Sequence, residues 1–176
     1  MNLVLFGFMA TGKTTVGKIL AKKKSYGFVD TDQIIEDETG MKITRIFKEK
    51  GEEYFRNLEK ETIHKVSKLD ENVIACGGGA VLDPVNVEAL KMNGELVLLE
   101  TSIEEIIRRT RNDTSRPLLW GKDTEEKAIR LLENRRETYH KVAELVIDTT
   151  GKTPENISKE ILERLGMKNE NKSRNE

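Results

Sequence analysis

Cysteine is nearly absent from this chain of 176 residues; Cys76 stands alone. A single thiol excludes an intramolecular disulfide and a cysteine-built zinc cluster. Charge of one sign is also missing. Thirty Lys and Arg balance 31 Asp and Glu, for a net charge of −1. Nothing in that balance calls for a nucleic-acid partner, which would favour a basic excess. The start, Met1-Asn2-Leu3, carries no basic segment, and its apolar run is interrupted by Gly7. It reads neither as a signal peptide nor as a membrane span. The expectation is a cytoplasmic protein that makes no membrane contact. Histidine occurs twice, at His64 and His140, far apart on helical patterns and unmarked as ligands. Glutamine occurs once, at Gln33, among abundant Lys and Glu. That bias is shared with proteins of thermophiles.

What is present is a soluble composition, 36% hydrophobic and 35% charged. The length suits one domain with a substantial core. That domain is expected over residues 1–166. Residues 167–176 are charged and almost without apolar groups, so a disordered tail is expected there.

The informative stretch is Gly7-Phe8-Met9-Ala10-Thr11-Gly12-Lys13-Thr14. It fits G-x-x-x-x-G-K-[ST], a phosphate-binding loop. Leu3-Val4-Leu5-Phe6 before it reads as a buried strand, and Val16, Ile19 and Leu20 after it fall at helical spacing. In that context the backbone N–H groups of Ala10, Thr11, Gly12, Lys13, Thr14 and Thr15 converge on phosphate oxygens. Lys13 reaches the terminal phosphates of a nucleotide, and Thr14 ligates Mg²⁺. The competing reading, a strand-to-helix turn that merely holds glycines, lacks a reason for the lysine.

Further strands are expected at Tyr26–Asp30, Val73–Cys76, Leu96–Leu99 and Leu145–Asp148. Helices are expected from Ile34 to Gly40, from Ile43 to Gly51, and through Phe55, Leu58, Ile63 and Val66. Asp83-Pro84 reads as an N-cap with proline at the first helical position, and Gly94 as the stop. Ser102 to Glu105 and Asp123 to Glu126 fit capping boxes. Thr153-Pro154 opens a last helix that Gly166 ends. Alternating strands and helices predict an α/β fold: a five-stranded parallel sheet between two helical layers. Ligands of such sheets lie at the carboxyl ends of the strands, where Gly7, Asp30 and Gly77 all fall.

Asp30 and Asp32 follow the second strand. In an extended segment, residues two apart share a side, so both carboxylates can face the phosphate site. One would support Mg²⁺, directly or through water; the other would orient an acceptor hydroxyl and take its proton. A plain helix cap at this position is an equal alternative for the pair taken alone. Gly77-Gly78-Gly79 lets a substrate lie against bare backbone, or else is a flexible turn. Arg56, Arg116, Arg135 and Arg136 offer forks to carboxylate or phosphate. Each, taken singly, also fits a solvated charge, Arg56 pairing with Glu52 or Glu59. Residues 111–122, polar and poorly periodic, suit a lid that carries Arg116.

Taken together these blocks resemble the shikimate kinases, small P-loop enzymes of the nucleoside-monophosphate-kinase-like type. The blocks are Gly7 to Thr15, Asp30 to Glu36, Gly51 to Arg56, Gly77 to Val81 and Arg116-Pro117-Leu118-Leu119, with a looser one from Arg135 to Ala143. The resemblance implies phosphoryl transfer from ATP, with Mg²⁺, to the 3-hydroxyl of shikimate, in a step of aromatic amino acid biosynthesis. It implies a substrate-binding region at about 31–60, with Asp32 on the substrate hydroxyls and Arg56 and Arg135 on its carboxylate. Gly78, within Gly77-Gly78-Gly79, lies against the ring. It makes Lys13, Asp32 and Arg116 catalytic, Thr14 and Asp30 the metal's residues, and Arg109 and Lys152 neighbours of the adenine. A monomer is expected. The family often has glycine where Ala10 stands and serine where Thr14 stands. Arg135-Arg136-Glu137-Thr138-Tyr139 also lacks the usual proline and leucine. Spacing to Tyr139 favours Arg135 over Arg136. Two other readings are a gluconate-type or nucleotide kinase of the same fold, and a nucleotide-binding switch. The switch lacks its guanine-selecting element, since Asn171-Lys172-Ser173-Arg174 fails the pattern.

Overall fold

The computed structural model describes residues 1–110 and 124–173. In chain order the elements are β1 (Asn2–Phe6), α1 (Lys13–Lys24), β2 (Gly27–Asp30), α2 (Thr31–Thr39), α3 (Ile43–Lys50) and α4 (Glu52–Val66). There follow β3 (Asn72–Ala75), a 3-10 turn (Ala80–Leu82), α5 (Pro84–Lys91) and β4 (Gly94–Glu100). The chain closes with α6 (Ile103–Thr110), α7 (Thr124–Val142), β5 (Leu145–Asp148) and α8 (Pro154–Ser173). The described strands form one parallel sheet in the order β2-β3-β1-β4-β5.

Strand periodicity sorts the core into two layers. Leu3 and Leu5 of β1 and Val97 and Leu99 of β4 pack with Val16 and Leu20 of α1 and Ile157 and Ile161 of α8. Their sequence neighbours Val4, Phe6, Leu96 and Leu98 pack on the other face with Ile63, Leu90, Ile106 and Tyr139. Both faces of the sheet are thus covered, which is why β1 is buried along its whole length. The expected three-layer α/β fold is the one observed. No helix among the described residues is long and apolar enough to cross a membrane.

The sheet order sets the position of the site. β1 lies between β3 and β4, so the chain turns to opposite sides from its carboxyl end, and a crevice opens there. A third cluster, Ile35, Ile46 and Phe55 with Met41, Ile43, Phe47 and Leu58, holds α2, α3 and α4 together beside that crevice. The rings of Phe47 and Phe55 lie 4.7 Å apart within it.

Several local expectations shift. Helix α2 begins at Thr31, three residues before the expected Ile34, because Asp30 caps it: its Oδ1 accepts the Asp32 and Gln33 N–H groups at 3.1 and 3.4 Å. Asp32 therefore stands on the first turn of a helix, not in an extended segment. Asp83 caps α5 as expected, accepting from the Val85 N–H at 2.9 Å. Gly94, expected as the stop after α5, instead opens β4, where a Cβ would come within 2.7 Å of the Leu90 carbonyl. Ser102 accepts the Glu105 N–H, but the Glu105 carboxylate turns to Arg108 and Arg109 in place of closing a reciprocal box. Asp123 lies outside the described residues. Finally, α8 does not end at Gly166 but runs on to Ser173. An internal glycine costs a helix only about 1 kcal/mol relative to alanine, and that is no stop without a break in the backbone.

Candidate active site

The loop between β1 and α1 is shaped by its backbone angles. Gly7 has φ 140°, and a Cβ there would sit 2.1 Å from the Leu99 carbonyl oxygen. Ala10 adopts φ 60°, in the left-handed region. Thr11, fully buried, donates its hydroxyl to the Phe8 carbonyl at 2.9 Å and so closes the turn. Helix α1 has no side-chain cap at its start, which leaves its first N–H groups facing the loop. Lys13 folds over the same loop, Nζ donating to the carbonyls of Gly7 at 3.0 Å and Phe8 at 2.7 Å. Thr15 is exposed on the first turn of α1.

Thr14 and Asp30 meet, the Thr14 hydroxyl donating to Asp30 Oδ2 at 2.7 Å. These are hard oxygen donors at the mouth of the loop. Among the described residues no three acidic, histidine or cysteine side chains cluster into a ready cage. Few protein oxygens beside a phosphate site fit Mg²⁺, which keeps waters and takes phosphate oxygens as ligands.

The second half of the site is the Gly77–Gly79 turn after β3. It is a floor bordered by five side chains, and at its two ends they rest so closely that no Cβ has room. A Cβ on Gly77 would lie 2.5 Å from Asp32 Oδ1 and 3.3 Å from Glu59 Oε1. On Gly79 it would lie 2.3 and 2.7 Å from the two terminal nitrogens of Arg56. On Gly78 it would lie 3.5 Å from Arg135 Nη1 and 3.6 Å from the Tyr139 hydroxyl, ordinary contact distances. The turn is pinned from both sides. Gly77 N–H donates to Thr31 Oγ1 at 3.1 Å, and Tyr139 donates its hydroxyl to the Gly78 carbonyl.

Arg56, on the first turns of α4, is braced by its own helix. Nη1 donates to Glu59 Oε2 at 2.7 Å, while Nε and Nη2 donate to Glu52 Oε1 at 3.3 and 3.1 Å. Three of the five guanidinium N–H groups are so engaged, leaving one on each terminal nitrogen for a ligand. Glu59 is only 1% exposed. Burial pushes its carboxyl up, and the charge of Arg56, with a smaller share from Arg135, draws it back down. Burial also raises the Cys76 thiol beneath the floor, which leaves it protonated and inert. Arg135 is half-buried with its guanidinium 5.9 Å over the Phe8 ring, whereas Arg136 is exposed and faces a groove with Glu100, Glu133 and His140. The structure thus distinguishes the two arginines that the sequence leaves adjacent.

On the far side of the loop, Arg109 bridges segments. It donates to the Ala10 carbonyl at 3.0 Å and to the Thr149 carbonyl at 3.3 Å, held by Glu105 at 2.7 Å. The Lys152 N–H meets the same Thr149 carbonyl at 3.2 Å, and its side chain pairs with Glu160 of α8 at 2.7 Å. Arg116 and the expected lid over 111–122 lie outside the described residues. Glu59 enters the sequence reading only as a surface partner, and Tyr139 only as a spacing mark. Their placement three residues after Arg56 and four after Arg135 is the signal that could have marked both.

The loop after β1 and a glycine floor bordered by two carboxylates, Asp32 and Glu59, and two arginines, Arg56 and Arg135, therefore share one crevice. A sequence model of the shikimate kinase family matches residues 9–166. The chain belongs to the shikimate kinase family. It is accordingly a kinase. A shikimate kinase of Caldanaerobacter subterraneus subsp. tengcongensis is 45% identical over 161 residues, which cover 92% of this chain and 94% of that protein. The shikimate kinase of Acinetobacter baumannii, solved in complex with shikimate, superposes at a TM-score of 0.91 with 36% identity, over 95% of this chain and 93% of that one. A gluconokinase from Sinorhizobium meliloti 1021 superposes at 0.62 with 18% identity, over 97% of this chain and 94% of that one, a likeness of fold alone.

Proposed function

We propose that this protein transfers the γ-phosphoryl group of ATP to the 3-hydroxyl of shikimate, giving shikimate 3-phosphate and ADP. The observation that carries this reading is the glycine floor with Asp32, Arg56 and Arg135 around it, one loop away from Lys13. A small acceptor with a single carboxylate and several hydroxyls matches that set. Arg56 and Arg135 take the carboxylate end by charge-assisted hydrogen bonds. Asp32 takes the hydroxyl end, points the attacking oxygen at the γ-phosphorus and accepts its proton. Gly78 allows the ring to approach the backbone. Lys13 leaves the loop carbonyls for the phosphate oxygens, where its charge opposes the negative charge of the transferring group. Arg109 and Lys152 border the adenine, as the family resemblance implies. Arg116 reaches the phosphates; its part rests on its sequence block.

Thr14 and Asp30 would hold Mg²⁺, whose charge, when it is bound, offsets that of the phosphates. The Thr14 hydroxyl keeps its proton and donates it to Asp30 Oδ2, so the threonine lone pairs remain available to the cation. The protein acts in the cytoplasm as a monomer.

The test is ADP release with ATP and Mg²⁺ against a panel of acceptors: shikimate, gluconate and nucleoside monophosphates. Shikimate should be turned over at least tenfold faster than any other. A protein that phosphorylates gluconate or a nucleotide better overturns the acceptor assignment.

A further inference from the structure

We infer that the Tyr139 hydroxyl is a positioning group that couples Arg135 to the Gly78 peptide, so that the floor and the acceptor-binding arginine are set as one unit. This rests on the acceptor reading above.

Arg135 and Tyr139 are four residues apart on α7 and therefore share a face, one turn apart. The Tyr139 side chain has no freedom to wander. It is 2% exposed, and its ring meets Phe6 edge-on at 5.8 Å and 79°. A fixed ring fixes its oxygen, and that oxygen donates its one proton to the Gly78 carbonyl. Its lone pairs are then left for a donor. Arg135, which can only donate, is the group beside it: both border the spot above Gly78, at 3.5 and 3.6 Å from where a Cβ would stand. Burial raises the phenol, while the charge of Arg135 and a hydrogen bond with it draw it down, so the proton needed for Gly78 is retained at neutral pH. Phe8 supports the guanidinium from its flat face. The chain Arg135 to Tyr139 to Gly78 carbonyl thus runs from α7 to the loop after β3. A guanidinium held at a fixed height over the floor loses little freedom when it meets a carboxylate.

The test uses four proteins: the wild type, Tyr139→Phe, Arg135→Lys and the double variant. Calorimetry gives the dissociation constants of shikimate, of its neutral carboxamide and of ATP. Tyr139→Phe keeps the packing on Phe6, and a thermal melt checks the fold. Shikimate should bind about tenfold more weakly to Tyr139→Phe, as for loss of a hydrogen bond to a charged group. The carboxamide should lose less than threefold and ATP nothing. In the Arg135→Lys background the same change should have no further effect on shikimate. Equal losses for acid and carboxamide, or effects that multiply in the double variant, overturn the coupling. A wild-type protein that does not bind shikimate overturns the acceptor reading itself. One that binds shikimate while Tyr139→Phe changes nothing overturns only the role of Tyr139.

Discussion

Lys13 spends its charge on two loop carbonyls, a contact that a phosphate outcompetes because it offers full negative charge. Lys13→Ala should therefore leave the melting temperature close to wild type and lower kcat by about 10³-fold, in line with the removal of one strong transition-state donor. Near-normal turnover in the folded variant would count against the nucleotide site. On the proposed reading, Asp32 belongs to the acceptor half. Asp32→Asn keeps the shape over Gly77 and removes the base, so kcat should fall about 10²-fold or more while the KM for ATP stays put. Arg56 has a divided role, bracing Glu59 and presenting two free N–H groups. Arg56→Ala should raise the KM for shikimate and also lower stability, since it leaves the carboxylate of Glu59 buried without its ion pair at 2.7 Å. Rescue of stability but not of KM by adding Glu59→Gln would separate the two roles.

At the scale of elements, the loop after β3 is where backbone and chemistry meet. The three glycines do different work. Gly78 has contact room in the absence of substrate, whereas Gly79 lies under the terminal nitrogens of Arg56. Gly78→Ala should leave thermal stability unchanged and weaken shikimate, because on the proposed reading the methyl group would occupy the place of the acceptor ring. Gly79→Ala should displace Arg56 and so reproduce the shikimate KM defect of Arg56→Ala with that arginine still present. Comparing the KM for shikimate and for ATP in the two variants checks this; an equal rise in both constants would indicate a general distortion of the crevice.

Across the whole molecule, acid should be the main destabilising condition. Glu105 is held down to about 2, chiefly by its hydrogen bond from Arg108. Asp70, Asp83 and Asp148 are lowered too, by Met1 and its terminal ammonium, by Lys60 and by Thr150 respectively. For each, the folded state binds its proton less readily than the unfolded chain. The stabilisation is present above the unfolded carboxyl pKa, about 4, and is lost as pH falls through that value toward 2. Glu59 runs the other way, because burial raises it. The urea midpoint should drop steadily from pH 5 to pH 2, and Glu105→Gln should flatten the lower end of that slope. Most of these pairs are exposed, so added salt should shrink the effect.

The fold class and the strand–loop–helix unit at Gly7 to Thr14 were legible in the sequence, since a strand, a glycine loop and a helix are local events governed by period and backbone angle. Val4 and Phe6 against Leu3 and Leu5 already divide the two layers. The family blocks around Asp30, Arg56 and Gly77 were legible as well, each carrying its residues within a few positions. Three matters were left to tertiary packing. Which of Arg135 and Arg136 faces the floor depends on how α7 is rotated on the sheet, and buried Tyr139 sets that rotation. Glu59 reads as a surface charge in the sequence because its burial comes with the approach of the loop after β3, at Gly77, a segment distant in sequence. The helical end of the chain departed from expectation at Gly166, since the backbone there continues in hydrogen-bonded register despite a residue that often ends helices. Periodicity and spacing determine which residues lie on one face of an element. Only the packing of elements against one another determines what that face meets.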